Sequence, residues 1–300
     1  MTDPVIIRAL TESDAPLFDT LPDPLGAREG HRNTRFRTEW KHVALRDGRV
    51  VARGAWWGGP DDAEPLSVNW FDVAEGEEEA GTRLLLSVPW RVELEINLPG
   101  GWREDPALRA AADTRFAAAR AAGYELLVER FLYRWTPEGG LPERPGRLRF
   151  RAEPDDGVFF DALRRIHSAT LDAHALKAIG EGGLDQAAQE EIDFFHWCPS
   201  PREWWQTAYT PEGELAGIHI PAHNPSGPIV GFIGVLPEHR GHGYSYDLLA
   251  ECTHFLVERG AEFVSAATDR GNFPMAANFA KAGYPVVRER VNFHPADLKE

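Results

Sequence analysis

The sequence predicts an α/β (α+β) protein of two tandem domains, each a mixed, mostly antiparallel twisted sheet flanked by helices. Three observations lead to this fold class. Apolar segments with strand character alternate with segments of helical spacing along the chain. A pattern at residues 122–130 recurs at 282–290. The length of 300 residues suits about two domains.

The repeat and the stretch between its copies define the predicted domains. Ala122-Gly-Tyr124 recurs as Ala282-Gly-Tyr284, and each copy ends an Ala-rich helical stretch and begins a strand. Three prolines and three glycines within 136–146 are typical of a linker. We therefore expect domains at residues 1–141 and 142–300.

Local patterns give the elements of the first half in order. Asp47-Gly48 favours a tight hairpin turn, and the acidic run 74–80 predicts a solvated loop. Pro106 suits the first turn of a helix. The predicted elements are strands at 5–9, 42–46, 50–57, 66–73, 83–95 and 125–135, with helices after residue 9 and at 106–122.

The second half also alternates strands and helices, and it ends with a strand, a helix and a strand in close succession. Turn signals at Pro211-Glu-Gly213 and Asn224-Pro-Ser-Gly227 separate its central strands. The predicted elements are strands at 148–152, 203–209, 214–221, 229–236, 261–267 and 285–293, with helices at 156–173, 184–195, 243–259 and 272–282.

The stretch 228–249 is the most informative of the chain. It predicts an apolar strand, a proline exit, a Gly-spaced basic loop and a helix, an order that builds an anion site. Glycines leave out Cβ atoms, so an anion can approach the backbone N–H groups. No Lys-Ser/Thr pair follows, as a Walker loop needs, and Tyr246 stands where a dinucleotide loop has its third glycine.

A second block follows the next apolar strand. Asn272 is a plausible helix cap, Met275 and Phe279 repeat at helical spacing, and Gly283 is a stop signal. Together with Arg240-Gly-His-Gly243-Tyr-Ser245, this block resembles the GNAT superfamily of acyl-CoA-dependent N-acetyltransferases. The likeness covers about the last 70 residues of the chain. The first half has no such loop, so we expect a degenerate, cofactor-free copy there.

The resemblance implies a reaction and a cofactor site. It implies an N-acetyltransferase that moves an acetyl group from acetyl-CoA directly to a primary amine. The loop would hold the pyrophosphate, and the strand before it, splayed from the next strand, would pair with pantetheine and offer an oxyanion donor near Val235. The cofactor-binding residues that it implies are Val235, Leu236, Arg240, Gly241, His242, Gly243, Tyr244, Ser245, Asn272 and Phe279.

Proton transfer needs further groups. His219, His223 and Glu238 lie near the anion loop in sequence and are the candidate bases, because an ammonium must lose a proton before it attacks. In the family a Tyr often follows the Asn of the second block by seven residues, and Phe279 stands there. Phe cannot donate a proton. Water or another side chain protonates the leaving thiolate, or the site is slow or inactive.

Composition bounds the partners and the location. The formal net charge of −15 does not favour nucleic-acid binding, and either steers a small cationic amine or serves solubility. Two cysteines give no disulfide framework, and we expect no metal site. No long apolar run or leader pattern is present, so we expect a cytoplasmic protein without membrane contact. A homodimer is compatible with the sequence.

Two alternatives remain open at this point. The tandem layout also suits an acetyltransferase similar to mycothiol synthase, although nothing identifies an amino-sugar thiol acceptor. The absent Tyr hydroxyl at Phe279 would instead suit an acyl-CoA-binding sensor without turnover. Turnover with an amine panel separates an enzyme from a sensor.

Overall fold

A computed structural model describes residues 4–27, 36–59 and 61–296. No helix in these ranges has the length and apolar character needed to cross a membrane. The strands are β1 (Ile6–Ala9), β2 (Lys41–Arg46), β3 (Arg49–Trp57), β4 (Ser67–Val73), β5 (Glu93–Pro99), β6 (Tyr124–Trp135), β7 (Arg149–Ala152), β8 (Gln206–Tyr209), β9 (Leu215–Asn224), β10 (Gly227–Val235), β11 (Val264–Asp269) and β12 (Val286–Pro295). The helices are α1 (Glu78–Leu86), α2 (Pro106–Ala121), α3 (Asp156–His167), α4 (Ala173–Trp197), α5 (Tyr244–Val257) and α6 (Phe273–Lys281).

The chain forms two compact units. Unit 1 comprises Met1–Glu129 and Arg288–Glu300, and unit 2 comprises Arg130–Val287. In unit 1, β1, β2, β3 and β4 pair antiparallel in that order, β5 adds parallel to β4, and β12 adds antiparallel to β5. The predicted Asp47-Gly48 hairpin turn is confirmed, with φ of 52° and 75°.

Unit 2 repeats this plan. Strands β7, β8, β9 and β10 pair antiparallel, β11 adds parallel to β10, and β6 adds antiparallel to β11. Helix α4 bends at Gly183, where φ is 85°, a value that glycine adopts readily. The core of unit 2 contains side chains of α3, α4, β9 and β10, among them Phe159, Ile192 and Ile218. The predicted fold class, a mixed and mostly antiparallel sheet flanked by helices, is confirmed.

The last strand of each unit comes from the other half of the sequence. Residues 130–135 of β6 pair with β11, and residues 288–293 of β12 pair with β5. The compact units therefore differ from the predicted ranges 1–141 and 142–300. The repeat explains why the sequence does not disclose this exchange. Both strands follow the same Ala-Gly-Tyr signal, so neither pattern specifies which sheet it joins.

One stretch of the first half was predicted wrongly. The loop at 74–80 and the strand at 83–95 are replaced by helix α1 and the later strand β5. Glu78 and Glu79 lie in the first turn of α1, where acidic side chains interact favourably with the helix dipole. Leu84 and Leu85 are fully buried on the same helix, so packing decides its structure.

Candidate functional site

Strands β10 and β11 separate soon after they meet. Their only register pair within the described residues is Ile229 with Ser265, near the start of each strand. A register shift lies between Val230 and Phe232, where Gly231 packs so closely that a Cβ would come 2.5 Å from the Phe195 ring. The rest of β10 pairs only with β9 in this part of the chain, so its other edge faces an opening. The splay that the resemblance implies is present.

The loop after β10 has the geometry of an anion site. A short turn at Pro237–His239 leads to Gly241, with φ of 84°, and to Gly243, with φ of 77°, which is the N-cap of α5. A Cβ built at Gly241 meets no atom within 4 Å. Within the described residues, the N–H groups of Gly241, His242 and Gly243 donate no hydrogen bond. Together with the first-turn N–H groups of Tyr244 and Ser245, they are free for a phosphate.

Arg240 has a different role from the one that its charge suggests. Its guanidinium donates to the carbonyl oxygens of Ala169 at 2.7 Å and Ile166 at 3.2 Å. Both carbonyls lie at the C-terminal end of α3, where a cation is favourable. Arg240 thus fixes the loop against α3 and the α3–α4 turn.

A second guanidinium at the loop was missed from the sequence. Arg147 donates to the carbonyl oxygen of His242 at 2.8 Å and pairs with buried Asp247 on α5. Its hydrogen bond with Asp247 raises the pKa of Arg147. Its place just beyond the Pro- and Gly-rich linker gives no sequence signal, because only the fold brings it to the loop.

The remaining predicted cofactor residues are mostly tied to their neighbours. Ser245 accepts a hydrogen bond from Asn278 at 2.8 Å, which joins α5 to α6. Asn272 caps α6 through Met275 N–H at 3.2 Å, as predicted. The His242 and Tyr244 rings stack at 5.5 Å beside the loop.

Three further positions complete the predicted set. Val235 ends β10 opposite Gly217. The Leu236 N–H donates to the Ala216 carbonyl at 2.9 Å, so this group is not available to an oxyanion. Phe279 is 2% exposed and stacks on Tyr133, with ring centroids 4.3 Å apart.

The three predicted bases lie apart from one another. His219 is fully buried, its Nε2 is 2.9 Å from Gln206 Oε1, and burial lowers its pKa to about 3. Such an imidazole packs in the core and does not contact solvent. His223 of β9 packs on Trp204 and pairs with Pro228 of β10. Pro228 is seven residues before Val235, the end of β10, which is about 23 Å along the strand. Glu238 is exposed and pairs with Arg165 of α3.

The structure gathers a group of charged residues that the sequence did not indicate. We call it the carboxylate cluster; its members are Arg130, Asp172, His174, Glu191 and Asp269. Arg130 Nε lies 3.1 Å from Asp269 Oδ1, and its Nη2 lies 3.4 Å from Asp172 Oδ2. Asp269 Oδ2 also accepts the Ala173 N–H at 2.7 Å. These residues come from β6, the start and middle of α4 and the end of β11, so no sequence spacing could reveal them.

Burial and like charge perturb this cluster. Burial, with Asp172 second, raises the pKa of Glu191 to about 7 and also raises the pKa of Asp269. His167 faces Glu191 across 4.0 Å, and burial lowers the pKa of this imidazole. The His167 ring lies 6.1 Å from the Phe232 ring, just past the β10 bulge. The cluster therefore borders the opening between β10 and β11. The described residues hold no group of three or more side chains suited to a metal ion.

Comparison with known proteins agrees with this geometry. Residues 170–284 match the Acetyltransferase (GNAT) family model. A GCN5-related N-acetyltransferase from Sphaerobacter thermophilus has a similar structure, with a TM-score of 0.56 at 16% identity over 98% of both chains. The glucosamine N-acetyltransferase region of a fungal multi-domain GH3 β-N-acetylglucosaminidase has a TM-score of 0.58 at 13% identity, over 98% of this chain and 38% of that one.

A tandem GNAT protein from the clavulanic acid pathway is also similar, with a TM-score of 0.49 at 16% identity over 97% of both chains. No curated protein sequence matches the chain at a significant level. The family match spans the α3–α4 turn, β10, the Gly-spaced loop, α5, β11 and α6. Residues 170–284 are therefore a GNAT-family acetyltransferase domain, whose fold supports acyl transfer from acyl-CoA.

Proposed function

We propose that unit 2 is an N-acetyltransferase that moves the acetyl group of acetyl-CoA to a primary amine of a small cationic acceptor by direct attack. The observation that carries this proposal is the loop at Gly241–Gly243. Its N–H groups are unpaired within the described residues, and they lie at the N-terminus of α5 directly after the splayed strand β10. A pyrophosphate fits such a concavity, because converging N–H groups and the helix dipole both favour an anion.

The residues present suit acetyl-CoA, which would supply the acetyl group as a thioester. Gly241 leaves open space over the loop, and the Arg147 guanidinium, paired with Asp247, lies beside it. The free edge of β10 between its bulge and Val235 can pair with amide groups of an extended chain, as an exposed strand edge does. An N–H of this edge can also stabilise an oxyanion.

The net charge of −15 supports a cationic acceptor, because an acidic field raises the local concentration of amines. His219 is not carried forward as a base, since its burial keeps it from any substrate. His223 and Glu238 remain proposals for proton transfer, and each requires a water chain from the opening. Cytoplasmic location and a homodimer also remain proposals.

The test is thiol release from acetyl-CoA with spermidine, kanamycin and the twenty amino acids as acceptors, alongside calorimetry of acetyl-CoA binding. The proposal expects binding by the wild-type protein, turnover with a cationic amine, and loss of both in Gly243→Val. Wild-type affinity in Gly243→Val would refute the loop assignment.

The sensor alternative predicts a different pair of results. Phe279 favours it, because no hydroxyl lies at that position to protonate the leaving thiolate. A sensor would bind acetyl-CoA and gain thermal stability from it, yet release no thiol with any acceptor. That combination would replace the enzyme proposal with a binding protein.

A further inference from the structure

We propose that the carboxylate cluster is the acceptor-amine subsite and that Glu191 removes the proton from the bound ammonium group. This inference rests on the proposed acetyl transfer and deepens it, because it names where the amine binds and which group activates it. It adds a residue of α4 to the bases predicted from the sequence.

The charge of the cluster favours a cation. Within the described residues the cluster has three carboxylates: Asp172 and Asp269 pair with the Arg130 guanidinium, and Glu191 interacts electrostatically with Asp172 and Arg130. Asp269 is 4% exposed, so its charge is removed from bulk water. The side chains of Asp172 and Glu191 are 39% and 26% exposed, so the excess of negative charge is partly removed from water, where a cation that joins it is favourable. A primary ammonium supplies one charge and three N–H donors.

A second observation, independent of the acidic residues, points to the same ligand. His167 is 3% exposed, and its buried Nδ1 has no hydrogen-bond partner within the described residues. Its Nε2 faces Glu191 Oε2 across 4.0 Å, which is too far for a hydrogen bond. A buried polar group without a partner usually marks a place for a water or a ligand. An ammonium nitrogen beside the pair can lie about 2.9 Å from both atoms.

The position of the cluster matches the opening in the sheet. His167 packs on Phe232, next to the β10 bulge, and Asp269 ends β11 on the other side. Arg240 of the anion loop bonds to the Ala169 carbonyl, three residues before Asp172, or about 10 Å of chain at most. An amine held at the cluster therefore faces the free edge of β10.

The proton balance of the step is complete. The ammonium R–NH₃⁺ gives one proton to the Glu191 carboxylate and becomes R–NH₂. The amine nitrogen then forms a bond to the thioester carbonyl carbon, and the carbon–sulfur bond breaks. A second proton leaves that nitrogen with the departing sulfur, which yields the amide and free thiol. Glu191 returns its proton to solvent.

The electrostatics of Glu191 suit this role. Its pKa, raised to about 7, places the carboxyl near neutrality, where a general base works best. The charged and titratable groups that face it are Asp172 and His174 of α4, Arg130 of β6, His167 of α3 and Asp269 of β11.

The experiment compares Glu191→Gln with Glu190→Gln, an exposed neighbour whose one hydrogen bond within the described residues is with Gln186 of its own helix. Thiol release is measured against pH with the panel amine that gives the highest wild-type kcat/KM. Glu191→Gln is expected to lower kcat/KM at least about 100-fold and to remove the acid limb near pH 7. Glu190→Gln should stay within about twofold of wild type. Asp172→Asn keeps its helix cap and should raise the acceptor KM more than it lowers kcat.

Acetyl-CoA affinity and spermidine binding separate the possible failures. Acetyl-CoA binding should be equal in all four proteins, and its loss in Glu191→Gln would show a structural role and overturn the inference. A Glu191→Gln activity above a third of the wild-type value would also overturn the inference. If the wild-type protein binds acetyl-CoA without turnover, the proposed function fails. Calorimetry of spermidine with the coenzyme A complex then decides the subsite: binding lost in Glu191→Gln supports it, and equal or absent binding in both overturns it.

Discussion

In both units a parallel pair of strands meets at its beginning and then separates. Strands β4 and β5 pair at Ser67–Glu93 and Val68–Leu94, and β10 and β11 pair at Ile229–Ser265. A helix follows each strand in the same order, α1 and α2 in unit 1 and α5 and α6 in unit 2. The backbone plan of the opening is thus present twice, and the side chains differ.

Unit 1 has a buried ionic group at β4. Asp72 of β4 lies 2.6 Å from both Arg53 and Arg115, and all three residues are at most 1% exposed. Arg115 Nε also lies 3.2 Å from the carbonyl oxygen of Phe71, on the edge of β4. One main-chain acceptor of β4 is therefore already bonded to a side chain of the protein.

The loops that follow β4 and β10 also differ in their charged side chains. After β4 the chain continues as Ala74-Glu-Gly76-Glu77, and the Glu77 carboxylate binds Arg46 at 2.9 Å. After β10 the loop 236–243 has one carboxylate, Glu238, which pairs with Arg165, and Gly241 and Gly243 follow Arg240. An acidic loop repels a pyrophosphate, whereas the Gly-spaced loop attracts it. One backbone plan is therefore stabilised from within in unit 1 and left open in unit 2.

The largest expected effect comes from Asp72→Asn. This change leaves two buried guanidinium groups without an anion and should lower the free energy of unfolding by about 3–5 kcal/mol. Chemical denaturation measures it. Asp113→Asn, an exposed carboxylate on α2, is the control and should be neutral. Acetyl-CoA affinity of the folded Asp72→Asn protein should equal that of wild type, and its loss would contradict the division of roles.

The direction in which the pKa of Asp72 is shifted predicts how the stability of the protein depends on pH. Burial alone would raise the pKa of Asp72, but Arg115 and Arg53 outweigh it and hold that pKa below its usual value. A lowered folded pKa gives stability that is present above the unfolded pKa of about 4 and is lost as the pH falls through the folded value. Asp72→Asn should therefore lose less stability in acid than wild type.

The next largest effect is on acetyl-CoA affinity and compares the loop after β10 with the loop after β4. Gly243→Val places a side chain at a φ of 77°, with its Cβ 3.3 Å from the Arg147 guanidinium at the loop, and should weaken acetyl-CoA binding at least about 100-fold, or roughly 2.7 kcal/mol. Gly76→Val in the unit 1 loop is matched in backbone conformation, because φ there is 75°, and its Cβ meets no atom within 4 Å. It carries a similar strain of about 1–2 kcal/mol and should leave affinity unchanged. Equal losses of affinity would show that strain alone causes the effect.

The sequence predicts the parts of this comparison that depend on local chemistry. The Gly-spaced loop, the Asn272 cap and the Gly283 stop are confirmed, because each is set by backbone conformation at one place. The carboxylate cluster and the Arg53–Asp72–Arg115 group were missed, since each joins residues tens of positions apart. The strand exchange was missed because two near-identical patterns compete for two similar sheets.

A smaller effect concerns the free energy of unfolding of unit 2. Glu191 has a folded pKa raised to about 7, so its ionised form is unfavourable in the fold at pH 8. Glu191→Gln should therefore unfold at higher denaturant concentration than wild type, by about 1–2 kcal/mol after discounting for its 26% exposure.

The advantage of Glu191→Gln should shrink as the pH falls from 8 towards 4, because the wild-type carboxyl takes up its proton through pH 7. Asp72→Asn shows the opposite sign at pH 8, so the two openings are distinguished by stability as well as by binding. A pH-independent difference would indicate altered packing and not a relieved charge.

The smallest expected effect tests the departure from the family pattern at Phe279. Phe279→Tyr adds a hydroxyl beside Tyr133 and Tyr284, whose rings lie 4.3 and 5.3 Å away. The site is 2% exposed, so an unpaired hydroxyl should cost about 1 kcal/mol of unfolding free energy. If the sulfur takes its proton from the attacking nitrogen, kcat should change less than about threefold. A tenfold rise in thiol release would show instead that the missing hydroxyl limits the reaction.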